Sequence, residues 1–368
     1  MKIHGAVLEE SGRPRPYSDS MPISISEMEL EPPGPGEILV RIEAAGVCHS
    51  DLSVVDGNRP RPLPMLLGHE AAGTVEHTGP GVENLTVGQR VVMAFLPRCN
   101  DCAACRTDGQ LPCTRGSATN NAGTLLGGDI RIRRNGFEIK HHLGVSGFAT
   151  HAVVDQHSVV PVGDDVPPDI AAVLGCAVLT GGGAVLNAGR PKRGDTVMVV
   201  GLGGVGMASL ITAASLDGVQ VIGVDSNPSK LKQAMILGAN ATYTPQEVAA
   251  SNIRASVVVE AAGHPAAFET AVSATAPGGI TVTVGLPAAS ARSSISPLGL
   301  VAEARTIVGS YLGSAVPSRD IPIYVDLWRE GKLPVEKLIS SRISLSDINV
   351  AMDELSDGKA VRQVIMFD

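Results

Sequence analysis

The sequence predicts an α/β protein in which a mostly β region is followed by a doubly wound parallel sheet. Three observations predict it. Over residues 2–155, short Val/Ile-rich runs at 37–42, 72–76, 90–94 and 152–154 alternate with Gly/Pro punctuation such as Pro32-Pro33-Gly34-Pro35-Gly36 and Gly79-Pro80-Gly81, the pattern of short strands and turns. At Gly194-Asp195 the texture changes to longer apolar segments broken by glycine turns. The length, 368 residues, suggests two domains and supplies apolar residues for two cores.

The second half opens on its most informative stretch. Residues 196–200 form a valine-rich run, Gly201-Leu202-Gly203-Gly204-Val205-Gly206 opens an Ala/Leu/Ile segment reaching 216, and the apolar run 219–224 ends at Asp225. A glycine turn that follows a strand and opens a helix, with an acid closing the next strand, is the dinucleotide-binding fingerprint. Its glycines let backbone N–H groups approach a pyrophosphate at the positive end of the helix, and Asp225 can accept from the adenosine ribose hydroxyls. A carboxylate there repels a 2′-phosphate, so NAD is expected over NADP. Lys230 can reach the same ribose or stand as a solvated surface lysine. Apolar runs at 256–260, 279–285 and 306–311 supply further strands.

All six cysteines fall into two groups. Cys99, Cys102, Cys105 and Cys113 form a C-x2-C-x2-C-x7-C run inside the loop-like stretch 97–115, the short spacing with which backbone turns aim four thiolates at one structural zinc. Disulfides are the rival, and four thiols this close would pair only in strained small loops. Cys48 and Cys176 stand apart from any other cysteine. An inert buried thiol is the ordinary reading of each, but Cys48 lies in Gly46-Val47-Cys48-His49-Ser50-Asp51, ahead of Gly68-His69-Glu70. Two thiolates and one imidazole leave a fourth tetrahedral position open for substrate, the ligand set known for alcohol dehydrogenase.

Composition excludes other classes. Net charge is −8 with no basic block, against a nucleic-acid partner. The N-terminal Met1-Lys2-Ile3-His4-Gly5 segment reads as a strand and not as a signal peptide, which with thiolate zinc sites points to the cytoplasm. Residues 170–189 and 196–216 are long and uncharged enough to span a bilayer, but clusters such as Gly181-Gly182-Gly183 argue against it, and no membrane association is expected.

These residues resemble the zinc-dependent medium-chain dehydrogenase/reductase family, and within it the longer alcohol dehydrogenases. The similarity runs nearly end to end. Its most specific piece is Gly68-His69-Glu70-Ala71-Ala72-Gly73, followed after five residues by Gly79 and after two more by Val82; the four-cysteine loop, the glycine turn, Gly175-Cys176 and Val361-Arg362 match too. The resemblance implies a mostly β, GroES-like catalytic domain, residues 1–178 and 318–368, with a Rossmann NAD-binding domain, 179–317, inserted in it. It makes Cys48, His69 and Cys176 the catalytic zinc ligands. Asp51 would hold His69 in its metal-binding tautomer, Glu70 would sit behind the metal, and Ser50 would take the alcohol proton. His49 and Arg362 fall where the family meets the cofactor pyrophosphate. The implied activity is reversible, zinc-dependent oxidation of a primary or secondary alcohol, with hydride passing to NAD.

The chain also departs from the family. Ser53 stands where well-known members end the proton relay with a histidine, and serine is no base near neutral pH, so the relay is expected to end in water or another group. His49 replaces a frequent arginine and is only partly charged at neutral pH, which predicts dinucleotide binding that weakens as pH rises. Phe95 and Leu143 read as apolar pocket lining. Arg59 and His142 fall where relatives place Leu and Phe, and each addresses a polar substrate group or turns to solvent; Leu298 and Ile295 are further lining candidates. Retention of the span between Cys113 and His151 implies a homodimer joined through sheet edges near 306–314. The alternatives are a glutathione-dependent formaldehyde dehydrogenase and, from another class, a non-catalytic nucleotide-binding or structural protein; intact ligand sets and Ser50 argue against the latter.

Overall fold

The valine- and isoleucine-rich runs of the first half become strands of two sheets. The computed structural model describes residues 1–367. The chain divides into two units, one of Met1–Cys176, Val316–Val325 and Ile339–Asp368, the other of Ala177–Ala315 and Asp326–Leu338. The stretch Asp326–Leu338, which belongs with the second unit, departs from the division expected at 318–368.

In the first unit the strand Glu37–Val47 organises a seven-stranded sheet. It pairs antiparallel with Ala71–Thr78, with His151–Asp155 and with the C-terminal strand Gln363–Met366. This register brings three distant pieces of sequence to one place. Ala45 lies opposite Ala71, and Gly46 N donates to Glu70 O at 2.8 Å, so Cys48 and His69 leave adjacent strand ends. Gln363 lies opposite Val47, which places Arg362 beside them. Ile38, Val40, Ile42, Val75, Val91, Met93 and Ile365 close the core on these strands. The second sheet, of six strands, contains Lys2–Leu8 paired with Ile23–Leu30 and has its own core around Ile3, Val7, Met28 and Leu66.

The second unit carries a six-stranded sheet in the order Ala241–Tyr243, Gln220–Val224, Thr196–Val200, Ala255–Glu260, Thr275–Thr283, Thr306–Gly309, every pair parallel. Numbered along the chain this is 3-2-1-4-5-6, the Rossmann order, with ligands expected outside the carboxyl ends of the strands. Met198, Val200, Val224 and Val258 form its core. The strands expected at 279–285 and 306–311 begin or end a few residues away, at Thr275–Thr283 and Thr306–Gly309, because strand ends follow pairing more than apolar runs.

Among the described residues one helix, Pro168–Gly189, is long and apolar enough to cross a membrane, and 94% of its most apolar window is buried inside the protein. The uncharged stretch 170–189 is therefore that of a core helix. It contains two π-helical turns, at Leu174–Val178 and Ala184–Gly189.

His141 ends a two-residue strand in the six-stranded sheet of the first unit, where its Nε2 accepts from Arg131 N at 3.1 Å. Burial, with Arg131 and Lys140 nearby, lowers its pKa to about 3. Below about pH 6.5 the unfolded chain binds a proton that the folded chain refuses, so stability falls from there down to pH 3, by up to about 1.4 kcal/mol per pH unit. His141→Gln keeps an acceptor for Arg131 N and cannot titrate. Urea denaturation midpoints between pH 7.5 and 5 are expected to fall less steeply for this variant than for the wild type; parallel curves would refute the assignment.

Candidate active site and metal centres

Cys48 ends the strand Glu37–Val47 and precedes the helix His49–Val55. Asp51, in the first turn of that helix, accepts from Cys48 N at 3.0 Å through Oδ2 and makes the 2.9 Å bond to His69 Nδ1 through Oδ1. One carboxylate therefore fixes both the cysteine and the ring. Since Asp51 is the acceptor, the proton lies on His69 Nδ1 and the lone pair on Nε2 is free for a metal. Gly68 precedes His69 with φ +90, and a Cβ there would stand 2.4 Å from Phe148 N, so only glycine allows this turn.

Cys176 arrives from the other side, on the π-helical turn Leu174–Val178. A Cβ on Gly175 would meet Met93 O at 2.0 Å, so glycine lets the helix press on the strand Arg90–Met93 and advances Cys176 to 3.4 Å from His69 Nε2. A thiolate and an imidazole on one tetrahedral zinc stand about 3.5 Å apart. Cys48, His69, Glu70 and Cys176 are all buried, with one ligand atom from each within 4.8 Å of the others. The residues fit zinc: two thiols and the imidazole Nε2 of His69 converge in the protein interior.

The buried groups of this cluster shift one another's ionisation. A hydrogen bond from the Cys176 thiol draws Cys48 well below the usual thiol range against the cost of burial, helped by Arg362 and His69, while the same bond and burial push Cys176 up. Burial opposes charge on His69, yet Asp51 and Cys48 outweigh it and raise its pKa. Asp51 itself is held low by the two imidazoles despite its burial. Glu70 is pushed up to about 7, mainly by burial and partly offset by Arg362. Arg362 Nη1 is 3.2 Å from Glu70 Oε2, an ion-pair distance without hydrogen-bond alignment, and donates to Val47 O at 3.1 Å.

The four-cysteine loop forms a second centre. Cys99 Sγ and Cys105 Sγ are 3.9 Å apart and Cys102 Sγ and Cys113 Sγ 4.0 Å, close to the roughly 3.8 Å of thiolates sharing a tetrahedral zinc and far beyond the roughly 2.05 Å of a disulfide. Backbone N–H groups of Cys99 and Gly116 point at Cys113 Sγ, and that of Cys102 at Cys99 Sγ, as they do toward charged sulfur. Backbone groups of Cys105 and Thr114 lower Cys102 to about 5, while burial and its neighbour raise Cys105 to about 12. These four residues fit a closed structural zinc.

In the second unit the expected turn lies between the strand Thr196–Val200 and the helix Gly204–Ala214. A Cβ on Gly206 would meet Gly201 O at 1.8 Å, whereas one on Gly203, at φ −81, would meet nothing within 4 Å. Gly206 is thus needed for packing and Gly203 leaves space for a ligand. Asp225 accepts from Leu202 N at 2.8 Å and Asn227 N at 2.9 Å, one bond to each oxygen, leaving lone pairs for a ribose. Gly204 and Val205 begin the helix, and Lys230 is half-buried in the helix Pro228–Ile236.

Of the remaining candidates, His49 is exposed and Ser50 half-buried in the first turn of the helix after Cys48. Ser53 Oγ donates to His49 O at 2.8 Å, so this hydroxyl closes its own helix turn. Phe95 and His142 both pack edge-on against the His69 ring, with centres 5.5 and 5.4 Å away. Leu143 is buried at φ +52. Arg59 is half-buried; burial, then His69 and Arg61, two residues on from Arg59, lower the His142 pKa against the pull of Asp51. Sequence reasoning missed Arg61, since the alternation Arg59-Pro60-Arg61-Pro62 gives no sign of which arginine faces inward. It also missed Arg98, buried beneath the cysteine loop and donating to Cys105 O at 3.0 Å, because an arginine beside cysteines reads as a surface residue. Leu298 and Ile295 are exposed in the second unit.

Comparison with known proteins matches residues 34–164 to the alcohol dehydrogenase GroES-like domain and 204–330 to the zinc-binding dehydrogenase domain. The chain is 33% identical to the NDMA-dependent alcohol dehydrogenase of Amycolatopsis methanolica, over 100% of its own length and 99% of the relative's. It is also 33% identical to alcohol dehydrogenase 3 of Hordeum vulgare, over 100% and 98%. The crystal structure of benzyl alcohol dehydrogenase from Acinetobacter calcoaceticus superposes with a TM-score of 0.91 at 29% identity, covering 100% of both chains. The chain belongs to the zinc-dependent medium-chain dehydrogenase/reductase family. It is an oxidoreductase of the alcohol dehydrogenase type, with a GroES-like domain and a Rossmann domain.

Family membership and the two thiol clusters together predict two zinc ions per chain. Cys176→Ala is expected to retain one zinc by elemental analysis and to lose turnover, with thermal stability changed less than in Cys113→Ala, which gives up the zinc that closes its loop. Equal metal content in both variants and the wild type would contradict the assignment.

Proposed function

We propose that this protein oxidises a primary or secondary alcohol reversibly to its aldehyde or ketone, passing hydride to NAD. The observation that carries this reading is the meeting of Cys48, His69 and Cys176 in the interior, a three-ligand set that leaves a coordination position for substrate. Zinc held there supplies a Lewis acid that lowers the pKa of a hydroxyl presented to it. The chain's own residues do the rest. Asp51 keeps the His69 proton on Nδ1 and orients the ring. Arg362, paired with the buried Glu70 beside the ligands, supplies the positive charge that offsets the Cys48 thiolate. Ser50 receives the alcohol proton and passes it outward; with Ser53 Oγ engaged at His49 O, that proton goes to water. Phe95, His142, Leu143 and Arg59 line the substrate site.

In the second unit the dinucleotide lies across Gly201, Gly203, Gly204, Val205 and Gly206, with its pyrophosphate at the helix N-terminus and its adenosine ribose on Asp225 and Lys230; in the first unit His49 and Arg362 are the proposed cofactor-binding residues. The proposed catalytic domain is 1–178 and 318–368, apart from Asp326–Leu338, which groups with the nucleotide domain 179–317. A second copy of the chain pairs at the edge strand Thr306–Gly309, beside the helix Pro297–Ala302, none of whose residues is buried. The cytoplasm, where thiolate sites stay reduced, is the proposed location.

The reading is tested with purified, zinc-replete protein by following nicotinamide absorbance with NAD across aliphatic, aromatic and hydroxy-acid alcohols and formaldehyde with glutathione. Turnover of simple alcohols is expected; activity confined to the glutathione adduct, or none, would overturn it. Two variants separate the parts. Ser50→Ala is expected to lower kcat by roughly 10²-fold or more while dinucleotide affinity holds. Gly203→Ala fits the fold as it stands, so it should keep the wild-type melting temperature and lose dinucleotide affinity in a titration; unchanged affinity would remove the pyrophosphate from this turn.

A further inference from the structure

His142 is a histidine that the metal chemistry does not use. It is buried at 1% exposure, and neither ring nitrogen meets an aligned hydrogen-bond partner. A buried nitrogen left in this way is costly, and a site that tolerates one commonly completes it with a ligand or a water. Its placement is tightly held. His142 N donates to Ser146 Oγ at 2.9 Å, and that hydroxyl donates to Leu66 O at 3.0 Å. The turn between them carries Leu143 at φ +52 and Ser146 at φ +54, a strained backbone that persists only where the surroundings impose it.

The ring faces two groups already described. Its Nδ1 is 3.2 Å from Asp51 Oδ1, off the hydrogen-bond axis, on the same oxygen that His69 Nδ1 meets at 2.9 Å. Beside a carboxylate the imidazole proton belongs on Nδ1, which leaves the lone pair on Nε2, across Cε1 from it. The His142 and His69 rings meet edge-on with centres 5.4 Å apart, so His142 is an immediate neighbour of the ring that presents Nε2 to the Cys48–Cys176 centre.

We propose that His142 is a specificity-determining residue whose Nε2 accepts a hydrogen bond from a second hydroxyl on the substrate, so that the enzyme favours 1,2- and 1,3-diols over monoalcohols of the same length. This rests on the reading of the Cys48–His69–Cys176 centre as the alcohol-oxidising site, with His142 in its lining. An alcohol that lacks the second donor leaves Nε2 buried and unpaired, which is how a polar subsite discriminates more sharply than an apolar one.

The test compares kcat/KM for 1,2-propanediol and 1,3-propanediol with that for 1-propanol, in the wild type, His142→Phe and His142→Gln. The wild type is expected to favour at least one diol by about tenfold or more. His142→Phe should remove that ratio, and His142→Gln, which keeps an acceptor, should restore part of it. A wild-type ratio near one overturns the proposal without any variant, and so does a diol preference that survives in His142→Phe. Turnover of monoalcohols with no diol preference means that His142 alone has been misread; no turnover of any alcohol brings down the alcohol reading as well. A crystal structure with diol and NADH should place the second hydroxyl on Nε2. An ordered water kept on Nε2 with the diol bound, or a protein group there, would also overturn the assignment.

Discussion

The Asp51 carboxylate is the interaction on which the site depends. It is fully buried, and a buried charge without partners costs several kcal/mol. Its partners are the site itself: Cys48 N on one oxygen, His69 Nδ1 on the other, and His142 nearby. The charge that burial penalises is therefore held by the groups it must orient. It ties the start of the helix His49–Val55, which carries Ser50, to the residue that leads into the strand Ala71–Thr78.

Around this point the fold brings the chemistry together by pairing. The registers of Glu37–Val47 with Ala71–Thr78 and with Gln363–Met366 bring Cys48, His69, Glu70 and Arg362 from three parts of the chain to one sheet end. Cys176 comes on a π-helical turn whose preceding glycine touches a carbonyl of the strand Arg90–Met93. Glu70 and Arg362 place opposite charges next to the thiols, so the lowered Cys48 and raised Glu70 pKa values reflect the same packing. Taking ligands from separate elements makes the site a product of the whole first unit, while the four-cysteine loop gathers its ligands within fifteen residues and depends on local turns.

Much of this was legible in the chain because the chemistry constrains spacing. The four-cysteine run and the glycine turn with its distant acid are local patterns, and each points to one geometry. Cys48, His69 and Cys176 were harder, since nothing in local spacing joins residues 48 and 176; the resemblance to a family supplied that link. What stayed hidden depends on packing. Arg61 is the arginine that acts on His142, while Arg59 is only half-buried, and the prolines around them conceal the difference. His142 could turn to solvent on sequence grounds, yet the Ser146 turn buries it against Asp51. Arg98 gives no pattern at all. The long uncharged stretch at 170–189 is apolar because it is a core helix, a distinction that composition alone makes only through its glycines.

The most direct test of this account measures the grip of the catalytic centre on zinc in Asp51→Asn, by competition with a chromogenic chelator. The substitution keeps the shape and an acceptor for Cys48 N but removes the charge that sets the His69 tautomer. The account predicts that one of two zinc ions is bound about 10–100-fold more weakly while the four-cysteine ion is unaffected. Equal affinity at both centres in variant and wild type would show that the carboxylate does not organise the site.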